Sequence, residues 1–395
     1  MKRAALGIIC IFSVALWIGC GGGSSSSSSS GNTNLSHIKK RLFVGNSYGG
    51  AIQIIDAQLD QISAFSISPL GTPTDMLVSP DGKYTLVYDK SSNSFDAVNN
   101  AQEFLETSGL YVGGFSQSYV LSSDNKTLYA AVRNFQNSTG PQGAIVTVDY
   151  SSTKAVTGSI PVPNVRWVAI NHAGNRLLAF SDNSDSMAII DPTQTTPALT
   201  TVSAGLDHPV GAIFSSDDSK AYILSCGPEC GGTQAMVTEY DMSTGATRSV
   251  NVSAATVGLL VSNTLYVAGA PGGVGGTVTA VDTGAMTAGT PVTISSGYHD
   301  IMQSAGNKIW IGANTCGGGG CLTVFDPSTS TATVDNPASG SNSKGDVTGM
   351  AWVDFQNEMY VIEGGELRVY DTSGNEIPTT MDIVGAAYGI AYVPQ

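Results

Sequence analysis

Apolar residues in this chain come in short alternating runs separated by polar turns, and the stretch Val210 to Ser253 shows the pattern whole. VGAIFS (Val210 to Ser215) is followed by SDDSK, then AYILSC (Ala221 to Cys226), a Gly-rich loop, AMVTEYD (Ala235 to Asp241), the turn MSTGA, and TRSVNVS (Thr247 to Ser253). The runs are rich in β-branched and aromatic residues and are bounded by turn formers. They predict a four-stranded antiparallel meander, with strands a to d in chain order.

The meander repeats. The centre of strand b falls at Phe43, Thr85, Tyr129, Leu178, Tyr222, Tyr266, Trp310 and Tyr360, a period of 42 to 50 residues. Four-stranded blades of that length, none able to bury both faces alone, make a β-propeller. Strand a is expected at Thr74 to Ser79, Ser118 to Ser122, Arg166 to Asn171, Val210 to Ser215, Val257 to Ser262, Asp300 to Ala305, Val347 to Val353 and Tyr388 to Val393. The last of these has no b, c or d after it, whereas RLFVGN (Arg41 to Asn46), AIQIID (Ala51 to Asp56) and QISAFSIS (Gln61 to Ser68) have no a before them. The prediction is an all-β, eight-bladed ring closed by strands from both chain ends in one blade, which removes an exposed sheet edge. Seven blades is the alternative, because Ser94 to Asn100 lacks the terminal Asp and Ala101 to Phe115 is irregular.

SPDGK (Ser79 to Lys83), LYVAG (Leu265 to Gly269), AIIDP (Ala188 to Pro192), TVFDP (Thr323 to Pro327) and PVG (Pro209 to Gly211) resemble the YVTN-type β-propeller repeats of bacteria, over residues 41–395. The resemblance implies a fold more than a function, since related propellers serve as surface-layer proteins, lactonase-like enzymes and ligand-binding scaffolds.

Lys2 and Arg3 precede an apolar run from Ala4 to Ile18, too short to span a membrane and suited to a secretory signal. LWIGC (Leu16 to Cys20) resembles a bacterial lipobox, with Trp17 in place of the usual Leu. The expected organisation is a signal at 1–19, lipidation at Cys20, a Gly/Ser-rich tether at 20–40 and a propeller at 41–395. The tether composition cannot form a core, and several acyl chains would anchor it stably. The expected location is the bacterial cell envelope, with the membrane as a partner through Cys20.

Composition adds two exclusions. Only 12% of residues are charged, 47 are Gly, and the net charge of −14 becomes −16 when Lys2 and Arg3 leave with the signal. Neither nucleic acid nor anionic lipid is therefore an expected partner. No P-loop, GxSxG elbow, HExxH or helix-opening dinucleotide fingerprint is present, and no cofactor or metal is predicted.

Outside the signal and Cys20, four cysteines form two close pairs in b–c loops, CGPEC (Cys226, Cys230) and CGGGGC (Cys316, Cys321). In an exported protein they read as two local disulfides. A shared four-thiolate zinc is disfavoured, because the loops belong to blades separated by another blade, roughly 20 Å apart at a sheet spacing of about 10 Å. The aspartates ending strand c (Asp56, Asp149, Asp191, Asp241, Asp282, Asp326, Asp371) recur in nearly every blade and read as turn residues.

The candidate binding residues are Asp75, His208, His299 and Asp300. His208 and His299 immediately precede inner strands, and Asp75 and Asp300 are assigned the strand-a start where other blades carry Gly211, Gly258, Gly349 or Gly389. There they would face the channel mouth. The expected function is a non-catalytic binding or scaffold module, expected to be monomeric, for a protein, glycan or small ligand. A lactonase-like or other hydrolase at the channel mouth is the alternative. Strand direction predicts that the tether leaves from the tight-turn face, so that the loop-rich face looks away from the membrane.

Overall fold

The structure, a computed structural model, describes residues 35–394 apart from 48, 70, 138–139, 274, 317–319 and 336–343. The expected signal, Cys20 and residues 20–34 of the expected tether lie outside the described residues. The folded unit begins at Leu35.

Eight antiparallel sheets form an eight-bladed β-propeller. In blade 5, strands a to d are Pro209–Phe214, Lys220–Cys226, Ala235–Asp241 and Thr247–Asn251, as the repeat predicts. Blade 1 joins Lys40–Asn46, Ala51–Asp56 and Gln61–Ile67 to the C-terminal Ala387–Pro394, whose Val393 pairs with Arg41. The ring closes with both chain ends in one blade. The inner strands of blades 2, 3 and 4 are Pro73–Val78, Ser116–Leu121 and Val165–Ile170; those of blades 6, 7 and 8 are Val257–Val261, Tyr298–Ala305 and Val347–Val353. Blade 2, the weak fit in sequence, is a complete sheet with Ser94–Asn99 and Phe104–Tyr111 as its outer strands. Two register shifts between those strands explain the broken alternation.

The core lies between blades. One cluster of buried side chains fills each gap, so that Leu86, Phe95 and Ala97 of blade 2 meet Leu128, Val146 and Tyr150 of blade 3, and Leu42 and Val44 of blade 1 meet Val353 and Tyr360 of blade 8. Strands b and c are buried on both faces, which is why their runs are continuously apolar. Strand d is the polar outer edge, as in Thr247–Asn251.

The first described residues meet the ring on its tight-turn face. The Ser36 amide and hydroxyl donate to the Glu103 carboxylate at 2.6 and 2.5 Å, and Arg41 Nη1 pairs with the same carboxylate at 2.6 Å. Glu103 lies in the c–d hairpin of blade 2, so residues 35–40 approach the ring from the face predicted for the tether. The aspartates ending strand c are turn residues: Asp241 Oδ1 accepts from the amides of Ser243 (2.9 Å) and Thr244 (2.8 Å), and Asp282 Oδ1 from those of Gly284 (2.8 Å) and Ala285 (3.0 Å).

Candidate functional site

The inner strands share one irregularity where they open onto the loop-rich face. In every blade except the sixth, one extra residue sits in a β-bulge there: Thr74, Gln117, Arg166, Val210, Asp300, Thr348 and Gly389. Bulges re-aim side chains. Here they share one level near the loop-rich end of the inner strands, although Val210 is buried in the blade packing. Gly389 has to be glycine, with φ at +61° and the Cα of Asp75 only 2.9 Å from where a Cβ would stand.

This register corrects one sequence assignment. Asp300 is a bulge residue, whereas Asp75 is the residue after the bulge, paired with Tyr88 and equivalent to Gly211 and Gly349. Crowding explains glycine at Gly349, where a Cβ would meet Ile390 at 2.9 Å, but not at Gly211, which faces open space.

Arg166, missed in the sequence, occupies the position of Asp300. It donates from Nε to Gln117 Oε1, its bulge neighbour in blade 3, at 2.7 Å and from Nη1 to Asp182 at 3.0 Å. Arg133 Nη1 reaches the other Asp182 oxygen at 2.6 Å. The Arg166 guanidinium lies 4.4 Å from the Trp167 ring centroid, a cation–π distance. The signal available in sequence was a charged residue at the first predicted position of an inner strand.

His208 stands on the same rim. Its backbone has φ of +49°, and its amide donates to Asp185 Oδ1 at 3.1 Å. Its Nδ1 lies 2.8 Å from Asp185 Oδ1 and 3.2 Å from Asp207 Oδ1. Asp207 is held by the amides of Thr233 and Gln234, both at 2.8 Å, and by the Thr233 hydroxyl at 2.5 Å. Partial burial pushes the Asp207 carboxyl up, but these bonds and the His208 contact outweigh it and leave it below the usual range. His208, Asp207 and Asp185 bring one ligand atom each within 4.8 Å of one another, the span of a three-point cation site.

Between these groups lies a cleft of about 330 Å³, whose walls include Arg166, Trp167, Asp182, His208, Glu229 and Tyr298. Glu229 comes from a short 3₁₀ turn, Gly227–Cys230, closed by the disulfide Cys226–Cys230. Its Oε2 accepts from Thr256 Oγ1 and, at 2.9 Å, from the amide of Ala270. The other disulfide, Cys316–Cys321, also forms as expected. Its sulfurs approach Asp346, but bonded to each other they are not thiolate ligands.

The four sequence candidates do not converge as a set. His208 lines the cleft, and Asp75 and Asp300 face the channel. His299, expected at the channel mouth, is fully buried. Its Nε2 lies 3.4 Å from Ser295 Oγ, and desolvation lowers its pKa to about 4. The physical reason is alternation: the residue before the bulge points into the blade packing while Asp300 points out.

Asp75 and Asp300 touch channel water, yet the converging strands surround them closely enough to desolvate both. Desolvation raises the Asp75 carboxyl, opposed by hydrogen bonds from Tyr119 Oη and the Met76 amide. Asp300 is pushed up to about 6, first by desolvation and further by the charges of Asp75 and Asp346, against a 3.0 Å bond from Asn314. A carboxyl with that pKa can give or take a proton near neutrality.

The class defined by these observations is an eight-bladed β-propeller with a polar cleft at its channel mouth. No protein-family model and no curated protein matches the sequence. Among solved structures, the chain is similar to dihydro-heme d1 dehydrogenase NirN, solved in complex with DHE, with a TM-score of 0.68 and 13% identity over 93% of this chain and 78% of that one. It is also similar to a functionally unknown protein from Desulfotomaculum acetoxidans DSM 771, with a TM-score of 0.51 and 11% identity over 90% of this chain and 98% of that one. Likenesses at such identity show the fold alone.

Proposed function

We propose that the protein is a hydrolase of small acyl compounds such as esters or lactones, working in the channel-mouth cleft and held on the cell envelope by lipid at Cys20. The observation that carries the reading is the setting of His208. Two carboxylates engage its Nδ1 while its Nε2, on a residue lining the cleft, has no hydrogen-bond partner among the described residues. An imidazole so oriented is suited to act as a general base. Water would attack the acyl carbon and lose its proton to Nε2. The imidazolium, beside Asp185 and Asp207, would return that proton to the departing oxygen of an ester or nitrogen of an amide as the acyl C–O or C–N bond breaks. Desolvation, with the nearby Asp300 charge, raises the Tyr298 phenol, so its O–H stays available to a developing oxyanion.

The same three side chains support a second route, in which a divalent cation bound by His208, Asp207 and Asp185 supplies the activated water. The test is hydrolysis of chromogenic esters and lactones by the purified protein and by His208→Ala. A loss of roughly 10²-fold or more is expected from removing the base. Unchanged hydrolysis in that variant rejects the proposal. Loss of activity on chelation, restored by a divalent cation, selects the metal route.

The anchoring reading draws support from Ser36, which bonds to Glu103 on the tight-turn face, the face opposite the cleft. The main expectation from the sequence, a binding scaffold without chemistry, accounts less well for an imidazole clamped by two carboxylates beside a cleft.

A further inference from the structure

We propose that the ligand of this cleft is a short peptide, two or three residues long, with a free ammonium and a free carboxylate; the inference rests on the cleft being the site assigned above. The cleft is electrically polar along its length. At the blade 4 end, Arg133 and Arg166 share the single carboxylate of Asp182, which leaves one positive charge in excess. Arg166 Nε and Nη1 are engaged, whereas Nη2 has no hydrogen-bond partner among the described residues. A guanidinium edge with unused N–H groups is suited to a carboxylate.

The opposite end carries the opposite charge. Glu229 stands on the blade 5 loop where it leans on blade 6, with Oε2 fixed by Thr256 and Ala270 and Oε1 without a partner among the described residues. An ammonium fits there, with Tyr298 on the same cleft wall. Of the acidic groups beside the arginine end, Asp182 is engaged by two arginines and Asp207 by Thr233, Gln234 and His208. Trp167 and Tyr298 supply apolar surface between the ends.

Length separates a peptide from a single amino acid. The charged ends belong to neighbouring blades, which pack about 10 Å apart and converge toward the axis. Two to three extended residues, at about 3.3–3.6 Å each, cover roughly 7–10 Å. His208, at the head of the blade 5 inner strand, stands between the ends.

Calorimetric titration of the full folded domain with the dipeptide Gly-Phe, its N-acetyl form, its C-terminal amide and free phenylalanine tests the assignment. Gly-Phe is expected to bind, and the other three to bind at least about tenfold more weakly, the loss of one charge-assisted contact. Glu229→Gln should abolish the discrimination against the N-acetyl form, and Arg166→Gln that against the amide. Equal binding of all four ligands, or no binding of Gly-Phe, overturns the proposal. Because binding is read without turnover, the two proposals fail separately. Tight Gly-Phe binding by a protein that hydrolyses nothing rejects the hydrolase alone. Ester hydrolysis by a protein that ignores Gly-Phe rejects the peptide alone.

Discussion

The two rims of the ring use the same side chain in opposite ways. On the tight-turn rim, aspartates recur from blade to blade and the backbone binds them. Hydrogen bonds from Ser243 and Thr244 hold Asp241 below the usual carboxylate range, and at Asp149 the bonds from Ser151 and Ser152 overcome the burial that would raise it. On the loop-rich rim, Asp75 and Asp300 occur singly, at different register positions, and their carboxyls are raised because desolvation outweighs the bonds they receive. In a repeat protein a group that returns in each unit, already satisfied by its own turn, holds the unit together. Chemistry collects where the repeat is broken and the group is left in need of a partner.

Both rims depend on one closed ring, so the largest expected effect comes from opening it. Deleting residues 387–395 removes the inner strand of blade 1 and exposes the edges of Lys40–Asn46 and of the neighbouring blade packing. The cooperative thermal transition should be lost or replaced by aggregation. A truncated chain with the full-length melting curve would refute closure.

The contrast between the rims is tested by one substitution on each. Asp149→Ala removes the acceptor for Ser151 and Ser152 and should cost about 2 kcal/mol in urea unfolding at neutral pH. Its folded pKa is depressed, so the contribution is present above the ordinary 3.8 and lost as pH falls toward the folded value. Asp300 has the reverse sign. With a folded pKa of about 6, it favours the folded state below 3.8 and loses that contribution as pH rises through 6. Asp300→Asn should therefore leave stability at pH 8 unchanged or improved and flatten the profile between pH 4 and 6. A loss at pH 8 matching that of Asp149→Ala would erase the distinction between the rims.

The smallest effect concerns His299, which lies beside Asp300 in sequence but belongs to the core. Its depressed pKa predicts a stability contribution complete above 6.5 that fades as pH falls through about 4. Its imidazole resonances in a nuclear magnetic resonance titration should hold still from pH 8 to 5. Titration near 6.5 would return it to the channel mouth.

How much was legible in the sequence divides along the same line. Strand alternation, the period of the b strands, closure by the two chain ends, both disulfides and the c–d turn aspartates were readable because each is set by residues close together in the chain or by exact repetition. The site was not. Placing His299 inside the blade packing, and Asp75 one residue past the register position of Asp300, required the bulge register, and a single extra residue leaves no mark on composition. Arg166 gained its meaning from Gln117 one blade earlier and Asp182 one strand later, and the cleft gathers residues from blades 4, 5 and 7. Local hydrogen bonding and hydrophobic alternation act over a few residues and so write themselves into the sequence. The electrostatics of the channel mouth come from loops brought together only by closing the ring, and the folded arrangement alone decided them.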